Sequence, residues 1–312
     1  MRIDYEMLLT AVIAAIVIAI ADFGAVSKSF DSLSDELAAF RQSEAYRQYA
    51  AFKSKESSFW ADLKGEKTAG GDLADVLKDA PANENPAAAT NAPAPAAASK
   101  ISGPVKYLMV GDSMMLVGFG PALENSLLKQ PGASVVREGA YSTGLNRIDY
   151  FDWFTKTDEL IARHRPDVLI VMFGANDGQG IVDRAGKTSE FGSAGWSEAY
   201  RQRVAVYLAR VAPKVKKIYW VGNPIAGSDS FTEKFSVMNP IYKAEIAKFP
   251  NAVFVDTWER FAVNGVYRQS IPDDNGLWQI AKQSDGVHVT DFGGAIMTGL
   301  VIREIAKDIE PK

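Results

Sequence analysis

The sequence has no cysteine and only two histidines among its 312 residues. The first absence removes disulfides, thiolate metal ligands and a thiol nucleophile, but it leaves the compartment open, because an exported protein can also do without bridges. The second restricts any base working near neutral pH to His164, His288 or a carboxylate. An excess of one charge is missing too. With 34 Lys and Arg against 38 Asp and Glu the net charge is only −4, so the basic face of a nucleic-acid binder is not expected, nor a nucleic-acid partner. What is present is a hydrophobic share of 47% with 11% aromatics, enough for a real core. The length exceeds what one compact domain usually needs and points to one domain plus appendages. No internal repeat is visible.

The N-terminus holds the longest apolar run, MLLTAVIAAIVIAIA from Met7 to Ala21, broken only by Thr10 and ended by Asp22. As a helix it is about 22 Å long, short of a hydrocarbon core of roughly 30 Å. Adding Tyr5, Phe23, Ala25 and Val26 brings it near spanning length. Residues 1–26 are therefore expected to form a transmembrane anchor, with a cleaved signal peptide as the rival, since Ala19-Ile20-Ala21 imitates a cleavage site. That triplet lies inside the run instead of after it, and Asp4 and Glu6 dilute the charge of Arg2, which favours the anchor. Over residues 27–66, Phe30, Leu33, Leu37 and Phe40 recur at helical spacing, and Tyr46, Tyr49, Phe52, Phe59 and Leu63 resume it after a phase slip. This amphipathic helix fits equally a membrane-proximal stalk, open to self-association or an envelope protein partner, and a helix packed on its own catalytic domain.

Residues 67–104 read as a linker. Its core, NENPAAATNAPAPAAASK, cannot bury enough apolar surface to offset its ordering entropy. From Val105 onward strands alternate with helices. Strands are expected near Val105–Val110, Ser134–Arg137, Val168–Phe173, Ile218–Val221 and Val253–Val255, several as continuous apolar runs of the kind that parallel strands buried on both faces require. Helical patterns cover Asp158–His164, Trp196–Val211, Pro240–Lys248 and Phe292–Lys307, the last behind a Thr290/Asp291 cap. Residues 105–312 thus form a three-layer α/β domain on a mostly parallel sheet.

In such sheets ligands bind beyond the carboxyl ends of the strands, and that is where polar residues gather. Gly111-Asp112-Ser113 follows the first strand, Gly139-Ala-Tyr-Ser-Thr-Gly144 the second, and Gly174-Ala175-Asn176-Asp177 the third. Asp285-Gly286-Val287-His288 precedes the last helix. A serine hydroxyl is a poor nucleophile until a base takes its proton, and His288 is the obvious base for Ser113, which opens an expected helix. Asp285, three residues earlier, is close enough to accept the other imidazole N–H and fix the tautomer. An oxyanion needs donors already in place, and the Ser113 and Gly144 backbone N–H groups with the Asn176 amide would supply three. Gly144 suits the role because a loop without Cβ lets the substrate oxygen approach, although Gly139 competes for it.

These four blocks, in this order, resemble the SGNH/GDSL hydrolase superfamily. The wider wording, GDSMM, YFDW, GANDGQ and DGVHVT, resembles an uncharacterised bacterial branch of it, many of whose members are exported or membrane-attached. The resemblance covers roughly Lys106 to Lys307. It implies a flavodoxin-like fold, catalytic Ser113, Asp285 and His288, an oxyanion hole of Ser113, Gly144 and Asn176, and no cofactor. Met114-Met115 departs from the Leu that follows the serine in many relatives, which leaves the chemistry intact and bears on pocket shape.

Simpler readings fit other features. His164, at a helix end, is a surface residue favoured by the helix dipole. Gly118-Phe-Gly120 has Leu at 123 where a dinucleotide loop needs glycine, and the elbow G-x-S-x-G needs Gly at 115, where Met stands. Pro272-Asp273-Asp274-Asn275-Gly276 lacks the spaced ligands of a calcium loop, and no metal is expected. Trp153, Trp196 and Trp278 lie near the proposed cleft, where an aromatic face suits a sugar ring, although large apolar residues are more often packing. The expectation is a membrane-attached, periplasm-facing enzyme acting on an acylated glycan or other ester. It is an esterase, with O-acyl transfer to a glycan as the enzymatic alternative and a non-catalytic glycan-binding envelope scaffold as the other.

Overall fold

The computed structural model describes residues 100–310. The expected anchor over residues 1–26, the helix over 27–66 and nearly all of the linker lie outside them. Among the described residues no helix is long and apolar enough to cross a membrane.

Five strands build the central sheet: β1 (Lys106–Gly111), β2 (Ser134–Gly139), β3 (Val168–Met172), β4 (Lys217–Val221) and β5 (Ala252–Val255). They lie in the order β2-β1-β3-β4-β5, with every neighbouring pair parallel. This is the flavodoxin-like doubly wound order, whose crevice opens where the winding reverses beside β1 and β3. Among the described residues five long helices flank it, with one short turn of helix at Trp258–Phe261: α1 (Phe119–Leu127), α2 (Trp153–His164), α3 (Ala194–Val211), α4 (Asp229–Ile246) and α5 (Asp291–Asp308). Strand side chains alternate between two cores. Leu108, Val110, Leu169, Val171, Ile218 and Trp220 pack under α2, α3 and α4. Tyr107, Met109, Ile170, Met172 and Tyr219 pack under α1 and α5.

The helix starts follow local chemistry. Asp152, Ser193, Ser228 and Thr290 each accept a hydrogen bond from a first-turn backbone N–H, satisfying a donor that the helix itself cannot. The Thr290 cap lies where the sequence puts it. Three helices differ from expectation, and α2 is one of them, starting at Trp153 behind its Asp152 cap instead of at Asp158. α4 starts at Asp229, eleven residues before Pro240, which sits exposed inside it. Phe235, Met238, Tyr242 and Ile246 are all buried on one face, and their burial outweighs the hydrogen bond lost at the proline. The helix expected to open at Ser113 starts only at Phe119, as α1, past Gly118 and with Gly120 and Pro121 in its first turn. Gly120 is there for contact: a Cβ would collide with the Met115 carbonyl, so only glycine lets α1 lie against the Ser113 turn.

Short pairings complete the domain. Ile101–Ser102 pairs in parallel with Ile309–Glu310, so structured chain begins inside the last residues of the stretch read as linker; two residues are too few to carry a pattern. An antiparallel pair, Ser270–Pro272 with Trp278–Ile280, projects just before the Asp285/His288 loop.

Candidate active site

Ser113 sits immediately beyond β1 in a single 3-10 turn, Ser113–Met115, and the continuous helix starts only at Phe119. Its side chain is almost fully buried, at 5% exposure. The His288 ring bridges it to Asp285: Nε2 is 2.7 Å from Ser113 Oγ and Nδ1 is 2.6 Å from Asp285 Oδ2. These are the distances at which one imidazole can take a hydroxyl proton while its other N–H is held by a carboxylate. Burial alone would raise the Asp285 carboxyl. The His288 ring and the Val287 and His288 backbone N–H groups outweigh it and hold the group below its ordinary range, so Asp285 is an anion at neutral pH.

Asp112 organises the nucleophile side. It is completely buried; Oδ1 accepts from the Met114 N–H, and Oδ2 accepts from the Gly174 and Ala175 N–H groups. One carboxylate therefore ties the turn after β1 to the turn after β3, which carries Asn176. Burial pushes its carboxyl up to about 6 against the pull of these backbone donors.

Asn176 Nδ2 donates to the Thr143 carbonyl at 3.0 Å, which leaves its second amide hydrogen free of that bond. Next to it, the buried Asp177 accepts from the Leu145 and Asn146 N–H groups and from the Tyr200 hydroxyl. The buried Arg203 guanidinium adds bonds to the Leu145, Asn146 and Val182 carbonyls. Gly144 lies directly against this carboxylate, and a Cβ there would fall onto Asp177 Oδ1. A glycine is thus required at 144 on packing grounds. Gly139 instead ends β2, paired with Gly111 and packed on Leu116. Among the described residues nothing accepts the Ser113 or Gly144 backbone N–H.

The tryptophans correct the sequence reading. Trp153 and Trp196 are fully buried, so neither presents a face to a sugar. They act from behind. Trp153 Nε1 donates to Thr143 Oγ1 at 2.9 Å, and that hydroxyl donates to the Ala140 carbonyl, which shapes the loop leading to Gly144. Trp196 Nε1 donates to the Gln179 carbonyl at 2.6 Å, and Gln179 Nε2 donates back to the Asn176 carbonyl. Trp278 alone is open, at 54% exposure, on the outer face of its hairpin with Ile280. His164 ends α2, away from these contacts, in the last turn with Arg163.

Asp112, Asp177 and Lys282 are the residues that sequence reasoning passed over. An acidic residue directly after a buried run such as Tyr107–Gly111 must either bond backbone or destabilise the fold, and that signal was available for Asp112. For Lys282 nothing local distinguishes a buried lysine from a solvated one.

A catalytic mutant of an acetylxylan esterase from Geobacillus stearothermophilus superposes with a TM-score of 0.50 at 18% identity, covering 68% of this chain and 100% of that one. A lipase/acylhydrolase from Enterococcus faecalis gives 0.47 at 16%, covering 67% and 98%. An alpha/beta hydrolase enzyme from the metagenome of Lake Arreo, Spain, gives 0.47 at 13%, covering 66% and 97%. At these identities the likeness speaks for the fold alone. No curated protein sequence matches the chain. A family model described as a protein of unknown function (DUF459) matches residues 106–304, well over half of the sequence. The chain belongs to that family, and its GDS, Gly144, GAND and DGVH blocks stand on this sheet in the order that resembles the SGNH hydrolase superfamily.

Proposed function

We propose that this chain is a serine esterase that cleaves O-acyl esters through an acyl-enzyme on Ser113. The observation that carries the reading is the pair of contacts on one imidazole: 2.7 Å to the Ser113 hydroxyl and 2.6 Å to the Asp285 carboxylate. Ser113 Oγ attacks the ester carbonyl carbon while His288 Nε2 takes its proton. Asp285 fixes the tautomer and stabilises the imidazolium. The oxyanion is held by the Ser113 and Gly144 N–H groups and the Asn176 amide. The carbon–oxygen bond to the alcohol then breaks, and His288 returns the proton to that oxygen. Water, deprotonated by His288, attacks the acyl carbon; the bond to Ser113 Oγ breaks, that oxygen takes the proton back from His288, and the carboxylic acid leaves.

An O-acetylated glycan is the substrate to test first, because the solved structure of similar fold bears the name of an acetylxylan esterase. Trp278 is the one aromatic of the three expected contacts left open to stack on a sugar ring. With residues 1–26 as anchor and 27–104 as stalk and linker, the domain would act on envelope glycans beside a membrane. The test is hydrolysis of a short-chain aryl ester, followed by product analysis on an acetylated glycan, by the full-length protein and its Ser113→Ala variant. Turnover that survives in a folded Ser113→Ala protein rejects the reading.

A further inference from the structure

Lys282 is completely buried, yet among the described residues its ammonium finds a single hydrogen-bond acceptor, the Val287 carbonyl at 2.8 Å. Burying an ammonium is costly, and a methionine would fill the space without that cost. The placement shows what the charge does. Lys282 stands opposite Val289 in an antiparallel bridge that closes the loop carrying Asp285 and His288. The loop is cross-tied by the Gln283 N–H to the His288 carbonyl and by the Gly286 N–H to the Gln283 carbonyl. The peptide unit joining Val287 to His288 is then gripped at both ends. Its carbonyl takes the Lys282 ammonium, and its N–H donates to Asp285 Oδ1. That peptide sets where the imidazole stands.

We propose that Lys282 is a positioning residue for His288, and that its positive charge, acting through the Val287 carbonyl, keeps the base aligned with Ser113. The proposal rests on the esterase reading and adds to it a residue that touches neither substrate nor reacting atoms. The groups facing the ammonium are the Phe261 ring, 5.5 Å from Nζ to its centroid, and the Asp285 carboxylate, the one charged group coupled to it among the described residues. Burial pulls the lysine down to about 7, against the opposing effect of Asp285, so the charge is present below that pH and lost as pH rises through it.

Activity and stability then respond in opposite directions. A charge-assisted hydrogen bond is about twice as strong as a neutral one, so kcat falls as the lysine deprotonates. Stability rises over the same range. Between about 7 and the ordinary lysine value of 10.5, the unfolded chain binds the proton that the folded chain has released, and stability grows with pH wherever the unfolded state binds more protons.

The experiment uses the full-length protein and its Lys282→Met and Lys282→Gln variants, between about pH 6 and about pH 9. kcat and KM are measured on a short-chain aryl ester, Tm by circular dichroism, and the downfield imidazole Nδ1–H resonance of His288 by NMR. In the wild type, kcat falls by several-fold and Tm rises from about pH 7 to about pH 9, the range over which the lysine loses its charge. In a folded Lys282→Met protein, kcat starts about tenfold lower, equivalent to about 1.4 kcal/mol. KM is little changed, and both pH dependences are flattened. The His288 resonance is displaced relative to wild type. If Lys282→Met flattens the Tm profile but leaves kcat, its pH dependence and the resonance at wild-type values, the lysine is only structural and the proposal is overturned. The resonance and Tm need no turnover, so absence of esterase activity in the wild type would reject the esterase reading while the displaced resonance still decided the positioning role.

Discussion

The two sides of the cleft are held by different means. Ser113 and Asn176 stand at the ends of adjacent parallel strands, and their turns are stitched together by the buried Asp112 and braced from behind by Trp153, Trp196 and Asp177. Asp285 and His288 stand on a loop outside the sheet, their side chains 46% and 24% exposed, held by its own turn bonds and by Lys282. The nucleophile side inherits its rigidity from the sheet. The base side must make its own, and it does so with charged groups. The difference teaches that damage on the first side should appear in both stability and rate, whereas damage on the second should appear mainly in rate and in its pH dependence.

The largest effects fall on the atoms that meet across the two sides. Ser113→Ala and His288→Ala should each remove measurable ester hydrolysis while circular dichroism stays native, because neither side chain supports the core. Normal turnover in either variant would dissolve the pairing. Next comes Asn176→Ala, expected to lower kcat by roughly 10²–10³ with a smaller change in KM, since an oxyanion donor acts mainly on the transition state. A pure KM effect would make Asn176 a substrate contact. Asp112→Ala sharpens the contrast, because it leaves three backbone N–H groups without their carboxylate. It should cost about 1–3 kcal/mol in denaturant unfolding and lower kcat about tenfold. A variant with lost rate and unchanged stability would contradict the division drawn above. The smallest effect belongs to Trp278→Ala. Losing an exposed aromatic face should raise KM for a glycan ester by a few-fold, worth about 1 kcal/mol, and leave the aryl ester untouched.

Much of this architecture was legible because parallel strands buried on both faces must be apolar throughout. The run VLIVM at Val168–Met172 can be little else, and the polar residues after each strand follow the rule that ligands bind at the carboxyl ends. The juxtaposition of Ser113, Asp285 and His288 was readable for the same reason: each residue type sits where its chemistry needs it. The rest was hidden by features that cancel local signals. The start of α1, with Gly118 as its cap and Gly120 and Pro121 in its first turn, suggests a turn, yet both glycines are required by close packing. α4 runs through Pro240 because its buried face outweighs one missing bond. Trp153 and Trp196 suggested a sugar platform because sequence shows proximity along the chain and not which way a ring points. Their indole N–H groups in fact end on Thr143 and Gln179, inside the protein.

The central claim is that Ser113 is made nucleophilic by His288, and covalent labelling tests it most directly. The full-length protein is incubated with a fluorophosphonate at neutral pH, and the adduct is located by peptide mass spectrometry. The account predicts one modified residue, Ser113, labelled rapidly in the wild type and far more slowly in the His288→Ala variant. Modification at another serine, or equal labelling of Ser113 without His288, would contradict it.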